Sequence, residues 1–382
     1  MPVLTKFTLT DWIVGIWWLG AVGTYVVTLL SPGRRPRPAS GNALQPVSVL
    51  VPVRGVDFGL EQNLTSFFQL DYPQYEVVFA IHDDRDPALA VIRKAIAANP
   101  SVPSQVKIGL VERHANPKIG NLVGAEPLLQ HPLVLLSAAN VSLAPDTLRR
   151  LVTALRRGVG VVSAIPVATR PETFGAEVEA AMCNGYFARW IYAALRFRVD
   201  VGLGAAMLMR RSDLARIGGF AAIGHALCDD AELVEVLHRQ GLRGILAAEV
   251  AYLPLGARSF GDFWARHLRW IYCRRCYAPP MFFLEPLLGM FGATIAGAWF
   301  LNRIMGWSAL FVAAASIGLW LMLEALFLLR RGWRFSWRAP IAWFVREAVL
   351  PALWVRALLI RRIVWRGRTF ELARAQPAGS GG

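Results

Sequence analysis

The sequence predicts an α/β domain with a mostly parallel sheet, flanked by apolar helices that cross a membrane, one before it and two or three after it. Three observations predict this. Between Pro46 and Leu255, short β-branched runs alternate with segments of helical apolar spacing. Outside that interval lie apolar runs of spanning length. The 382-residue chain is also 55% hydrophobic, holds 14 tryptophans and carries a formal net charge of +15. Apolar bulk with basic excess suits a membrane protein whose polar part meets anionic lipid or an anionic substrate. A nucleic-acid binder would share the charge but has no need of spanning segments, so no nucleic-acid partner is expected.

In chain order, residues 1–11 read as a short external N-terminus and Trp12–Leu30, WIVGIWWLGAVGTYVVTLL, as the first span. At about 1.5 Å per residue this uncharged run reaches about 28 Å, close to the thickness of a hydrocarbon core. A signal peptide would carry its cations ahead of the apolar run. Here they follow it, in SPGRRPRPAS, so residues 31–45 form a basic linker on the cytoplasmic side. Two later runs, 281–301 and 307–329, are joined by the turn NRIMG and predict a helical hairpin. Its basic flanks, Arg274 and Arg275 before and RRGWRFSWR after, put both outer ends in the cytoplasm, and the two arginines are expected to anchor on anionic lipid headgroups. Glu285 and Glu324 fall near the cytoplasmic helix ends, away from mid-membrane depth, where a charge costs about 3 kcal/mol or more. The last apolar stretch, 340–361, contains Arg346, Glu347, Pro351 and Arg356 and reads as interfacial or re-entrant, with a further crossing as the alternative. Residues 362–382 form a basic tail. The four cysteines prescribe no disulfide framework, and Cys273 and Cys276, a CxxC without a second ligand pair, read as two thiols.

The intervening segment, 46–256, has the length of one domain. VSVLVPV (47–53), YEVVFAIH (75–82), VKIGLV (106–111) and PLVLLSA (132–138) read as strands. LEQNLTSFFQL (60–70), PALAVIRKAIAA (87–98) and DTLRRLVTALRR (146–157) read as helices. In sheets built from such alternation, ligands sit beyond the carboxyl ends of the strands. That rule directs attention to Asp83, Asp84 and Asp86 after the second strand, to Asn140 after the fourth, and to Asp229 and Asp230 opening an amphipathic helix. Oxygen donors at three such edges, with an arginine-rich segment, suit a divalent cation holding a nucleotide diphosphate. Each group alone is equally a helix cap or turn residue.

The arginine-rich segment ARHLRWIYCRRC (265–276) lies within 257–280, an interfacial helix ahead of the hairpin. On a helix Arg266, Arg269 and Trp270 recur at i, i+3 and i+4 and share a face. Guanidinium groups meet phosphate oxygens through paired N–H donors; the other reading is a juxtamembrane anchor on anionic lipid.

Taken in order, VPVRGVD (51–57), FFQLDYPQYEV (67–77), DDRDPA (83–88), NPKIGNL (116–122), RRSDLARIGGF (210–220), CDDAEL (228–233) and RHLRW (266–270) carry a resemblance. The chain resembles membrane-bound family 2-type glycosyltransferases of the GT-A fold, within them the ceramide glucosyltransferase group and its bacterial relatives. The likeness runs from the first strand to VWRGR (364–368) and implies a Rossmann-like mixed sheet. It implies that Asp83 holds the uracil and ribose of a UDP-sugar donor beside Arg54 and Gly55, and that Asn116, Lys118 and Asn121 line the donor pocket. Asp229 and Asp230 match the family's acidic pair, with Asp230 as general base of an inverting transfer. RHLRW matches the (Gln/Arg)-x-x-Arg-Trp signature, so Arg266 and Arg269 are expected to stabilise the departing diphosphate and Trp270 to close the acceptor side.

One position departs from the family. The stretch LSAANVSL puts Ala138 where the metal-binding aspartate belongs and leaves Asn140 as the oxygen donor. Asn140 with Asp230 is then the pair expected to hold Mg2+ or Mn2+; a transferase leaning on its arginines and a degenerate homologue are the alternatives. The leading expectation is transfer of a hexose, glucose from UDP-glucose, to the hydroxyl of a membrane lipid acceptor such as ceramide, diacylglycerol or a hopanoid. It would act at the cytoplasmic leaflet of the inner membrane, its catalytic domain cytoplasmic. The rival is a non-catalytic GT-A homologue that binds nucleotide or lipid without transfer.

Overall fold

The computed structural model describes residues 8–31, 44–111, 114–365 and 368–371, so most of 1–11 and 31–45, and the tail beyond 371, lie outside the described residues. The first elements in chain order are α1 (Leu9–Leu30), β1 (Val47–Val53), α2 (Leu60–Phe68), β2 (Tyr75–Ile81), α3 (Ala88–Ala98), β3 (Ser104–Ile108), α4 (Pro117–Ala125), β4 (Leu133–Ser137), β5 (Ser142–Leu143), α5 (Thr147–Ala154) and β6 (Val159–Pro171). Next come α6 (Phe174–Ala180), a π-helical stretch (Ala181–Phe187), α7 (Ala188–Phe197), β7 (Ala206–Arg210), α8 (Arg211–Arg216), α9 (Asp229–Arg239) and β8 (Arg243–Gly256). The chain ends with α10 (Phe260–Tyr277), α11 (Pro279–Leu284), a 3-10 turn (Glu285–Leu288), α12 (Met290–Met305), α13 (Ala309–Arg330), α14 (Ala339–Leu359), β9 (Arg362–Trp365) and β10 (Arg368–Glu371). Two compact units result: a sheet unit (Pro32–Glu172 and Ala194–Ala257) and a helical unit (Met1–Ser31, Thr173–Ala193 and Arg258–Gly382).

The sheet unit holds eight strands in the order β3-β2-β1-β4-β7-β6-β8-β5. β1 pairs in parallel with β2 and β4, and β2 with β3, which is the half read from the alternation of strands and helices. β7 then enters antiparallel to both β4 and β6, so the sheet is mixed. Strands buried on both faces need apolar residues at every position. Accordingly Val47, Val49, Leu50 and Val51 of β1 are fully buried. One core packs Leu50, Val78, Ile119, Leu122, Met207 and Leu233 together, which fixes α4 and α9 against the sheet and sets where their first residues stand.

In the helical unit, α1 opens on a capping box in which Thr8 N–H donates to Asp11 at 2.7 Å. α1 and α13, each 22 residues, are long and apolar enough to cross a membrane. The expected span 281–301 is not one helix. It is α11, the 3-10 turn and α12, bent by 54°. Pro286 supplies no N–H, which frees the carbonyl of Phe282, and the chain turns before Gly289. Side chains replace the missing partners. Trp354 Nε1 donates to the Phe282 carbonyl at 2.8 Å, Arg189 Nη2 to that of Leu288 at 3.1 Å, and Trp17 Nε1 to that of Leu287. The first N–H of α12, at Met290, donates to Glu347 Oε2 at 2.8 Å.

Glu324 and Glu285 belong to buried ion pairs. Arg346 donates to Glu324 Oε1 at 2.6 Å and Oε2 at 2.9 Å, to Glu347 Oε1 at 2.8 Å and to the Ala181 carbonyl at 2.9 Å. Tyr25 O–H adds a bond to Glu324 at 3.1 Å. The approach is so close that a Cβ on Gly185 would overlap the Glu324 carboxylate. Arg274 and Arg275, expected to face lipid headgroups, are also engaged internally. Arg274 pairs with Glu285, and Arg275 donates to the carbonyls of Ala357 and Leu358, both at 2.7 Å, at the end of α14. The CxxC is not a pair of free thiols: Cys276 is free, whereas Cys273 is disulfide-bonded.

Glu324→Ala is expected to cost about 3–5 kcal/mol, because it leaves a buried guanidinium short of a carboxylate. Glu61→Ala, which removes an exposed pair with Lys94, should cost under about 1 kcal/mol. Thermal melting of the purified full-length protein in detergent compares the two; equal losses would remove the Arg346 network from its structural role.

Candidate functional site

In the sheet unit the sequence-predicted residues gather at the carboxyl ends of β1, β2 and β4 and at the start of α9. The loop after β1 carries Arg54, exposed, and Gly55, whose φ of 68° lies in the region glycine favours. The Gly55 N–H donates to both oxygens of Asp86, at 3.0 and 2.9 Å, so Asp86 ties this loop to the one after β2. Asp83 in that second loop is exposed and accepts the Arg85 N–H at 2.9 Å; this bond holds its carboxyl below the usual range.

The NPKIGN segment organises the acidic pair. Asn116 caps α4 by accepting the Lys118 N–H at 3.0 Å, and its amide donates to the Ala226 carbonyl at 2.7 Å. It is fully buried, and these two bonds brace the segment NPKIGN against the chain just ahead of the acidic pair. Lys118 Nζ pairs with Asp229 at 2.5 Å. Asn121 is buried on α4.

Asp230 stands on the first turn of α9, half-buried. Its Oδ2 accepts the Gly204 N–H at 2.9 Å and its Oδ1 the Ala231 N–H at 2.9 Å. A Cβ on Gly202 would come within 2.5 Å of the Asp230 carbonyl, so the VGLG loop (201–204) must be bare there. Sequence reasoning missed that loop, although its paired glycines just before an apolar strand were a usable signal. Burial, and next the charge of Asp229, push the Asp230 carboxyl above its ordinary range, while Lys118 and the two N–H groups pull it back. A carboxylate raised toward neutrality and held by a fixed N–H is suited to accept a proton.

Ala138 and Asn140 lie in the turn after β4. Ala138 N–H donates to the Ala205 carbonyl at 3.0 Å, which puts this turn beside the loop that holds Asp230. Ala138 offers no ligand atom, and among the described residues no three His, Cys, Asp or Glu side chains converge in a way that could hold a metal ion. Asp229 is already paired with Lys118, which leaves Asn140 and Asp230 as the oxygen donors expected to hold Mg2+ or Mn2+. Mg2+ commonly takes one or two protein oxygens and completes its shell with waters and substrate phosphates, so this small donor set fits such an ion only with the donor diphosphate present.

In the helical unit, α10 carries RHLRW on a helix opened by a Ser259–Asp262 capping box. The fully buried Glu179 of α6 forms ion pairs with Arg266 Nε at 3.4 Å and Arg258 Nε at 3.6 Å. Burial pushes the Glu179 carboxyl up, and the two guanidinium groups pull it back. Nothing in the sequence reading singled out Glu179; the signal was an acid in an otherwise apolar stretch. Arg269 lies 5.1 Å over the Trp365 ring. Trp270 meets His267 edge-on at 4.9 Å and Phe187 at 5.8 Å. Burial and then the neighbouring arginines hold His267 well below its usual pKa, so a neutral ring separates the cations.

The family model described as Glycosyl transferase family 21 matches residues 15–378. Ceramide glucosyltransferase 1 of Caenorhabditis elegans is 26% identical over 333 residues, covering 86% of this chain and 72% of its own. Ceramide glucosyltransferase of Komagataella phaffii is 22% identical over 422 residues, covering 85% and 82%. Among solved structures, the mannosyltransferase PcManGT of Pyrobaculum calidifontis, in complex with GDP-Man and Mn2+, aligns with a TM-score of 0.51 at 20% identity, over 92% of this chain and 99% of that one. That likeness shows the GT-A fold.

Opposite shifts test the electrostatics around Asp230. Removing the positive charge with Lys118→Met raises the Asp230 pKa further, so the acid limb of the pH–rate profile moves to higher pH. Removing the negative neighbour with Asp229→Asn moves that limb to lower pH. Shifts of the same sign in both variants would show that another group sets the limb.

Proposed function

The chain belongs to glycosyl transferase family 21 and is a glycosyltransferase, and from that premise we propose that it transfers glucose from UDP-glucose, with inversion, to the hydroxyl of a membrane lipid of the ceramide class. The observation that carries this reading is the Asp230 carboxylate, raised in pKa and aimed by the Gly204 N–H, in a chain similar to ceramide glucosyltransferases. Asp230 removes the acceptor hydroxyl proton as the oxygen attacks the anomeric carbon, opposite the departing UDP. Asp229 and its Lys118 partner fix the first turn of α9 and tune that basicity. Asp83, Arg54 and Gly55 take the nucleoside end of the donor. Arg266 and Arg269 meet the charge of the leaving diphosphate, and Glu179 keeps the Arg266 side chain in one position.

The solved mannosyltransferase binds its sugar nucleotide with Mn2+. Ala138 offers no ligand atom, so Asp230 and Asn140 would hold a Mg2+ or Mn2+ ion together with the donor phosphates, where it would offset their charge; no step here is routed through it. The apolar helices hold the enzyme where an insoluble acceptor is found, and the basic loops after α1 and α13 favour a cytoplasmic, inner-membrane orientation. In this reading residues 46–256 carry the donor chemistry and 257–280 the interfacial helix.

Purified protein incubated with labelled UDP-glucose or UDP-galactose and ceramide, with and without Mg2+ or Mn2+, is expected to yield labelled glycolipid from the glucose donor. No labelled lipid under any condition would leave the non-catalytic reading that Ala138 favours. Asp230→Asn should lower kcat by about 100- to 10,000-fold while donor binding persists. Ala138→Asp should add a metal-stimulated component to the rate; its absence would mean that the site cannot be rebuilt by one carboxylate.

A further inference from the structure

The helical unit contains a cavity of about 40 Å³ bounded by α10, the 3-10 turn, the start of α12 and α14. Its polar wall is Tyr186, Glu285 and Glu347; its apolar wall includes Leu350 and Trp354. Pro351 also lines it and is exposed, so the cavity opens past α14. Non-helical backbone at membrane depth persists where it is buried in protein or lines a cavity, and Glu285, Pro286 and Gly289 line this one.

The charges on the wall narrow the occupant. Tyr186 O–H donates to Glu285 Oε2 at 3.3 Å, Arg274 neutralises Glu285, and Arg346 neutralises Glu347. The wall is therefore nearly neutral yet rich in acceptor oxygens, and among the described residues no lysine or arginine lines it. A phosphate head would meet two carboxylates and no cation. Groups carrying O–H or N–H would find acceptors, since a carboxylate can take about four hydrogen bonds. The volume admits a hydroxyl or an amide group and little more. Hydrocarbon continuing outward would lie along Leu350, Trp354 and Pro351.

We propose that this cavity is a binding site for the non-reacting hydroxyl or amide group of a neutral lipid, with Glu285, Glu347 and Tyr186 as its hydrogen-bonding wall. The site rests on the reading of a lipid acceptor given above and adds the part of the chain that recognises it.

The test uses full-length protein in phosphatidylcholine nanodiscs with a photoactivatable, tritiated ceramide and no sugar nucleotide. Label is expected on peptides covering 286–292 or 347–354, about tenfold above that from a photoactivatable phosphatidylcholine of equal chain length, a difference worth about 1.4 kcal/mol. Leu350→Trp, which fills the cavity from a half-exposed position, should abolish it, and Leu350→Ala, which widens the cavity, should keep it. Equal labelling by the two lipids in the wild-type protein would mean that the cavity holds only water, and overturns the proposal whether or not Leu350→Trp folds. Labelling that survives in a folded Leu350→Trp overturns it as well. Selective labelling without glucose transfer keeps the site and removes the reading of glucose transfer to ceramide; transfer without label on these peptides does the reverse.

Discussion

A peptide group without a hydrogen-bond partner costs several kcal/mol in an apolar layer, and the helical unit is arranged around that cost. Pro286 and Gly289 interrupt what hydropathy would make a simple span. The backbone groups they release are taken up by Trp354, Trp17, Arg189 and Glu347, drawn from elements far apart in the chain. Glu347 can serve as a cap because Arg346 holds its other oxygen, and Arg346 is tolerable there because Glu324 faces it from α13. One guanidinium thus joins α13, α14, the π-helical stretch and the start of α12.

The sheet unit solves a different problem, that of keeping two carboxylates side by side without neutralising both. Lys118 compensates Asp229, and backbone N–H groups steady Asp230 while burial and its neighbour raise its proton affinity. Two adjacent acids therefore have different jobs, set by what each one touches. Asn116 links the segment carrying Lys118 to the carbonyl of Ala226 just ahead of the pair, so the two acids and the lysine beside them are fixed to the same stretch of backbone.

Much of this was written locally in the sequence. β1, β2 and β4 are buried on both faces, and a continuous β-branched and leucine-rich run is what such strands require. Asp229 and Asp230 announced α9 as acids on a first turn, and Arg266, Arg269 and Trp270 do ride one helix. Periodicity did not show the antiparallel half, which the resemblance alone implied, because β7 between β4 and β6 depends on pairings distant in sequence. Glu179 escaped for the same reason: its partners lie 79 and 87 positions downstream (258 − 179 and 266 − 179). The bend at Glu285–Leu288 was hidden from hydropathy, which counts side chains while the break is a matter of backbone donors. Arg274 and Arg275 look like lipid anchors by position and are claimed instead by Glu285 and by the last carbonyls of α14.

The helical unit is assembled from three separated stretches of chain, and this dictates a sequence of events at the ribosome. α13 emerges with Glu324 before Arg346 exists, since the arginine follows 22 positions later. During that interval the Glu324 carboxylate has no arginine to meet it. The pairing of α13 with α14 therefore waits on the later helix. A chain cut ahead of Arg346 keeps every helix apolar enough to cross, yet it lacks the guanidinium that meets Glu324, so hydropathy alone does not capture what completes the unit.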